Sequence, residues 1–261
     1  MKIASFNING IRARIETLTG WLAHARPDVV VLQEIKTQDE GFPAEPILDL
    51  GYQLATHGQK GFNGVAILSR LPLEDVTRGL PGDETDEQAR YIEATVVGHR
   101  AVRVAGLYLP NGNPQPGPKF DYKLAWMKRL RTRARELRQL ELPTVMLGDY
   151  NVIPEPRDAA HPEKWTDDAL FQPESRAAFR RILHDGWIDA VRLRAPDATR
   201  GPFTFWDYQA GAWQRDNGIR IDHVLLSPQA ADLLIDLGID REERAKDKPS
   251  DHVPVWVDLD A

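Results

Sequence analysis

The chain has 261 residues, 42% of them hydrophobic, with a net charge of −6 and no cysteine. That size and apolar content can fill the core of one large domain, while the missing thiols exclude a disulfide framework or a cysteine metal site and favour a reducing compartment. No run reaches membrane-spanning length and the N-terminus lacks a long apolar signal segment, so a cytoplasmic protein with no membrane partner is expected, and the acidic balance argues against indiscriminate nucleic-acid binding.

In chain order, strands are expected near residues 2–6, 29–33, 64–68, 91–97, 102–107, 144–147, 219–226 and 253–259. Ile15, Leu18, Trp21 and Leu22 share a helical face between the first two, and Leu124, Met127, Leu130, Ala134 and Leu137 share another before residue 144. The 91–97 and 102–107 runs are close enough to form a hairpin, whereas others are separated by helices. This mixture predicts mixed sheets with helices outside, not a purely parallel doubly wound sheet. No linker or repeat breaks the chain, so residues 1–261 are read as one domain. From Lys119 to Arg138 the chain is rich in Lys and Arg, with only Asp121 and Glu136 opposing; it is either a basic face or an ordinary solvated helix surface.

Polar clusters end several strands: Asn7, Glu34, Gly148-Asp149-Tyr150-Asn151, Ile219-Arg220-Ile221-Asp222-His223 and Ser250-Asp251-His252. Ligands of open α/β sheets collect at strand ends, and a core does not need this many acids there. Asn7, Glu34, Asp149, Asn151, Asp222 and Asp251 are all oxygen donors, which suits a hard cation such as Mg²⁺ or Mn²⁺. Glu34 is the best direct ligand because it is a lone acid ending a very apolar run, although such an acid can also cap a following helix. Of seven histidines only His252 has a supporting cluster. An imidazole used as a base or phosphate partner needs an orienting carboxylate. Asp251 is adjacent and Asp222 distant; neighbours on an extended segment point to opposite sides, which favours Asp222 and leaves Asp251 facing metal or water. Tyr108 and Asn111 follow a strand in Leu107-Tyr108-Leu109-Pro110-Asn111-Gly112, where a phenol can donate to a phosphate oxygen or pack under the turn. Phe203-Thr204-Phe205-Trp206-Asp207-Tyr208 is either an aromatic core strand or, with Arg200, Arg215 and Arg220 nearby, a nucleic-acid contact. P-loop, dinucleotide-binding, nucleophile-elbow and His-Glu-x-x-His patterns are absent.

Taken together, Ser5-Phe6-Asn7-Ile8-Asn9-Gly10-Ile11-Arg12-Ala13, Leu32-Gln33-Glu34-Ile35-Lys36, Gly61-Phe62-Asn63-Gly64-Val65-Ala66-Ile67, the Tyr108 and Asp149 motifs, the aromatic segment, Arg220-Ile221-Asp222-His223 and Ser250-Asp251-His252-Val253-Pro254-Val255 follow one another from the first strand to the last. In that order they resemble the exonuclease III group of apurinic/apyrimidinic endonucleases. The resemblance implies a deoxyribonuclease I-like, four-layered α/β sandwich: two mixed β-sheets face to face, helices outside. It also implies a Mg²⁺-dependent DNA repair nuclease, monomeric, acting on double-stranded DNA at abasic sites and 3′ ends, and clearing 3′ blocking groups. By the same resemblance Glu34 is the principal metal ligand with Asn7 and Asn9 near it, and Asp251 supports that metal or a second one. Asp149 orients or deprotonates the attacking water, or supplies the leaving-group proton. Asn151 steadies water and phosphate, Tyr108 and His252 meet phosphate oxygens with Asn111 beside them, and Asp222 holds His252. Arg90 contacts DNA; Phe205, Trp206, Ile219 and Ile221 form the pocket for a flipped abasic sugar. Ile219 stands where some relatives carry tryptophan, so that wall is smaller here. A phosphatase of the same superfamily acting on small phosphates is the rival, opposed by the aromatic segment. A catalytically silent DNA-binding scaffold is another, opposed by the presence of Glu34, Asp149 and His252.

Overall fold

The most apolar run of the chain, Val29-Val30-Val31-Leu32-Gln33, is a strand covered on both faces. Val29 and Val31 pack into a core shared with a second sheet, while Val30 and Leu32 meet Leu18, Trp21 and Leu22 of the helix Ile15–Ala25. Covering both faces removes the polar-outward alternation of a half-exposed strand. Repeated through the molecule, it produces four layers: helix, sheet, sheet, helix.

The computed structural model describes residues 1–261. The first sheet contains β1 (Lys2–Asn7), β2 (Val29–Gln33), β3 (Gln53–His57), β4 (Val65–Ser69), β11 (Leu234–Ile239) and β12 (Val255–Leu259), in the spatial order β11-β12-β1-β2-β4-β3. The second contains β5 (Leu73–Arg78), β6 (Tyr91–Val97), β7 (Ala101–Tyr108), β8 (Thr144–Asp149), β9 (Ile188–Asp189) and β10 (Asp222–Leu226), ordered β5-β6-β7-β8-β10-β9. Each sheet has one parallel pair at its centre, β1 with β2 and β7 with β8, and antiparallel neighbours elsewhere. β6 and β7 form the expected hairpin. Outside the second sheet, Trp126, Met127, Leu130, Phe179 and Ile182 of the helices Pro118–Gln139 and Pro173–His184 cover Tyr91, Leu107, Met146 and Leu225. No helix is long and apolar enough to cross a membrane.

Four strands escaped the sequence reading, β3, β5, β9 and β11, and they are the four sheet edges. Edge strands are half solvated and short, so they lack a continuous apolar run. The 64–68 and 253–259 runs start one and two residues late, at Val65 and Val255. Residues 219–221 are not the start of β10; Ile219 instead makes isolated bridges to Ala159 and Phe205. The Lys119–Arg138 run is not a free positive face. Lys123 is buried, Arg131 and Arg135 clamp Asp185, Arg133 reaches Glu93 and Glu136, and Arg129 holds Asp83 and Asp86.

Two glycines permit close backbone approaches, one between the sheets and one within the second sheet. A Cβ on Gly106 would stand 2.2 Å from Val31 Cγ1 across the seam between the sheets. At Gly148, φ is +154 and a Cβ would lie 1.9 Å from the Leu107 carbonyl oxygen of the parallel neighbour strand. Neither the backbone conformation nor the space admits a side chain there. Gly148→Ala should lower the unfolding free energy by about 2–4 kcal/mol, seen in a urea titration as a lower midpoint at unchanged slope. A wild-type midpoint would mean that β7 and β8 separate locally at no cost.

Candidate active site

The parallel pairs at the centres of the two sheets deliver their strand ends to the same place. Asn7 ends β1 and Glu34 follows β2; Tyr108 ends β7 and Asp149 ends β8. Register sets Tyr108 beside Asp149 and Asp222 opposite Asp149. The amide nitrogen of Asn7 then bridges the sheets, donating to Glu34 Oε1 at 2.9 Å and to Asp149 Oδ2 at 3.0 Å.

His252 completes this cluster from the segment before β12. Its Nδ1 donates to Asp222 at 2.9 Å, and its Nε2 lies 3.7 Å from Asp149 Oδ2. Because a carboxylate only accepts, the Nδ1 proton is assigned by its partner. Burial by itself disfavours the charged ring, but the surrounding Asp222, Asp149 and Asp251 outweigh it and raise the His252 pKa to about 10. Asp149 moves the same way for a different reason: burial raises it well above the usual carboxylate range, helped by repulsion from Asp222 and Glu34 and opposed by His252. Glu34 is held low; burial works against this, but the Asn7 amide and Lys36 ammonium prevail. Burial, then the charges of Glu34 and Asp149, keep the Tyr108 phenol protonated far past neutrality.

The remaining residues surround this centre. Asn151 donates its backbone N–H to Asp149 Oδ1 at 2.9 Å and its side-chain amide to Leu109 O at 2.9 Å, while its Oδ1 accepts from exposed Asn111 at 3.3 Å. Asn9 donates its amide to Asp251 Oδ1 at 3.0 Å. Arg90 lies 4.8 Å over the Tyr108 ring and donates to the Tyr108 carbonyl at 3.2 Å, bordering a groove of about 470 Å³ that also meets Asn111 and Lys119. Phe205, half-buried, stacks edge-on to His252 with ring centres 5.0 Å apart. Beneath it, Ile219 and Ile221 are 2% and 3% exposed and pack with Ile153, Ala159 and Leu170.

Trp206 is a correction. The resemblance puts it on the sugar pocket, but it is fully buried against Phe203, Trp213 and Val253, with its Nε1 donating to Asp216 at 3.2 Å. Neighbouring side chains of an extended segment face opposite ways; Phe205 takes the side of His252, leaving Trp206 to anchor the loop from behind. Of the expected metal ligands, Glu34 is the acid that joins a cluster of converging acids and histidines. The groups whose ligand atoms lie within 4.8 Å of one another are Glu34, Asp149 and His252. Asn7 turns its nitrogen to the carboxylates while its oxygen accepts from Asn9 N at 3.0 Å, and Asp251 is drawn off by Asn9. Two carboxylates without a thiolate fit a hard divalent cation. His252 commits its Nδ1 to Asp222, so the carboxylates of Glu34 and Asp149 are the hard donors facing this space, and the raised proton affinity of Asp149 makes Glu34 the better direct ligand.

Four supporting residues were not singled out from the sequence. Lys36 Nζ sits 2.9 Å from Glu34 Oε2 and also bonds the Asn9 oxygen. Ser250 Oγ donates to Asn7 O at 2.7 Å, and Thr204 Oγ1 accepts from the backbone N–H groups of Ile221 and Asp222. These three stand inside motifs already marked, so their neighbourhood was visible. Lys123, which donates to the Asn151 and Asn111 carbonyls, was hidden in the basic run.

The sequence model of the Endonuclease/Exonuclease/phosphatase family matches residues 4–252. Exodeoxyribonuclease III of Haemophilus influenzae is 36% identical over 267 residues, covering 99% of this chain and all of its own. Among solved structures, an AP endonuclease from Archaeoglobus fulgidus superposes with a TM-score of 0.94 at 36% identity, with both chains fully covered. A 3′ phosphatase from Neisseria, bound to a product DNA hairpin, superposes with a TM-score of 0.94 at 38% identity, again with both chains fully covered.

The electrostatics of the His252 pair can be read directly. In Asp222→Asn the ring loses the nearest negative charge, so its titration, followed by histidine side-chain NMR, should move to lower pH from its position near 10. An unmoved titration would show that Asp149 and Asp251 alone hold the proton.

Proposed function

Because this chain belongs to the exonuclease III branch of the endonuclease/exonuclease/phosphatase family, we propose that it is a Mg²⁺-dependent DNA repair nuclease. It cleaves the phosphodiester 5′ of abasic sites, removes nucleotides from 3′ ends of duplex DNA and clears 3′ blocking groups. The observation that carries this reading is the clustering of Glu34, Asp149 and a buried His252–Asp222 pair where the two sheets meet. The similarity to an exodeoxyribonuclease, an AP endonuclease and a DNA-bound 3′ phosphatase supports the range of substrates.

Each residue has a task that its environment suits. Asp149, whose affinity for a proton is raised by burial, takes the proton of an attacking water as that water closes on phosphorus. The His252 imidazolium, kept charged by Asp222, and the neutral Tyr108 phenol donate to phosphate oxygens and offset the charge that builds there. Asn151 and Asn111 hold the water and phosphate in line. Glu34 would hold Mg²⁺, which would supply positive charge to offset the charge that builds on the leaving 3′ oxygen. Phe205 with the Ile219 and Ile221 floor receives the extruded abasic sugar, which leaves the helix at little cost because no base is unstacked. Arg90 and Lys119 border one groove beside this centre, and Arg12, Lys36 and Lys60 border another of about 480 Å³. They neutralise phosphates on either side without reading sequence.

End-labelled duplexes test the reading: intact, with one abasic site, and with a 3′ phosphate, each with and without Mg²⁺, beside a panel of small phosphomonoesters. Hydrolysis confined to the small esters would overturn it. Glu34→Gln should lower cleavage roughly 10²–10³-fold and abolish calorimetric Mg²⁺ binding in a folded protein; undiminished binding would remove Glu34 from the ligand shell. Phe205→Ala should reduce abasic cleavage by roughly tenfold while sparing 3′ exonuclease activity, and equal losses on both substrates would reject the pocket.

A further inference from the structure

The helix Pro118–Gln139 contains one residue that neither its amphipathic face nor the catalytic cluster explains. Lys123 is 0% exposed, and its Nζ donates to the main-chain oxygens of Asn111 at 2.9 Å and Asn151 at 2.6 Å. These carbonyls belong to different loops, one after β7 and one after β8. On the opposite side, the side chains of the same two residues meet, Asn111 Nδ2 to Asn151 Oδ1 at 3.3 Å. The lysine stem is enclosed as well: a Cβ on Gly112 would stand 2.6 Å from Lys123 Cδ, so the Pro110-Asn111-Gly112 turn rests on it. Asn151 is left-handed at φ +46, a conformation that a non-glycine residue keeps only when its surroundings enforce it. Asp149 grips its N–H and Lys123 its carbonyl.

As a packing device this is costly. A buried ammonium bonded only to neutral carbonyls loses its hydration without gaining an ion pair, and burial pulls its pKa down to about 7 against the weaker pull of Asp168 and Asp149. A methionine would fill the same stem at no electrostatic cost.

We propose that Lys123 is a positioning residue for phosphodiester hydrolysis, clamping the Asn111 and Asn151 loops from behind so that both amides face the scissile phosphate together. This rests on the assignment of those two amides to the substrate. One buried side chain would thereby couple the turn after β7 to the end of β8, and the backbone helix to the reaction centre, without touching DNA.

A double-mutant cycle on the full-length enzyme with an abasic duplex and Mg²⁺ tests it, using Lys123→Met, Asn151→Ala and the pair. Lys123→Met should cut kcat roughly tenfold or more by misplacing the amides while leaving KM for DNA nearly unchanged. In the Asn151→Ala background the same change should cost less than about twofold further, because the two act as one unit. Lys123→Gln, which keeps an amide donor on a shorter stem, should fall between wild type and Lys123→Met, and it carries the same cycle if the methionine variant does not fold. Wild-type kcat in Lys123→Met, or an equal loss in both backgrounds, reduces Lys123 to packing and overturns the proposal. A wild-type enzyme inactive on every DNA substrate refutes the nuclease reading and the clamp with it; an active wild type with an additive cycle refutes the clamp alone.

Discussion

Asp149 stands where the two sheets meet, 1% exposed, and the molecule is arranged around the need to satisfy that carboxylate. Removing a charge from water costs several kcal/mol unless donors replace the solvent, and here Asp222 and Glu34 add repulsion. Much of the compensation comes from distant parts of the chain. Asn7 reaches across from the other sheet, Asn151 offers its backbone, and His252 brings a positive charge from the last strand's approach. Asn151 sits just past the end of the strand that carries Asp149, but Asn7 belongs to the other sheet and His252 to the segment that leads into it. Packing the sheets and bringing Asn7 and His252 to Asp149 are therefore one event, and the glycine at 106 lets the layers come close enough for it.

The same economy orders the surroundings. Arg220, fully buried, joins Asp158 at 2.6 Å to Asp189 at 2.8 Å, with Arg192 also on Asp158, and so ties the loop after β8 to β9 and to the segment before β10 that carries Ile219 and Ile221. His223 completes this network, its Nε2 donating to Val152 O and its Nδ1 accepting from Arg220, and burial followed by repulsion from Arg220 lowers its pKa to about 4. Two adjacent residues, Asp222 and His223, thus face different worlds: one the polar centre between sheets, the other the core beneath the outer helices. The buried Ile219 and Ile221 flank Arg220 and are held in place by this ionic network.

Charge is distributed with the same selectivity. A protein with a net charge of −6 is an unlikely partner for a polyanion on the sum alone. The sum misleads because most of the cationic run on the long helix is spent on Asp185, Glu93 and Asp86, whereas Arg12, Lys36, Lys60, Arg90 and Lys119 border the two grooves beside the catalytic centre. On the proposed nuclease reading, a phosphate backbone meets this local field and not the total.

Read alone, the chain already contained the central strands, whose burial on both faces writes an unbroken apolar run, and the two helical stripes at Leu18–Leu22 and Leu124–Leu137. It also contained the strand-end placement of Glu34, Asp149 and Asp222, and through strand alternation the choice of Asp222 over Asp251 as the carboxylate facing His252. Each of those is a local property of spacing and residue type. The four edge strands were illegible because solvent on one side erases their pattern. Trp206 and Phe205 could not be told apart by composition, since both are large aromatics and only the packing of Phe203, Trp213 and Val253 decides which ring is buried. Lys123 looked like a surface cation until the turns at Asn111 and Asn151 closed over it. Those outcomes were left to the tertiary structure for one physical reason: the burial and partners of a side chain are set by atoms tens to hundreds of residues away, and no window of the sequence contains them.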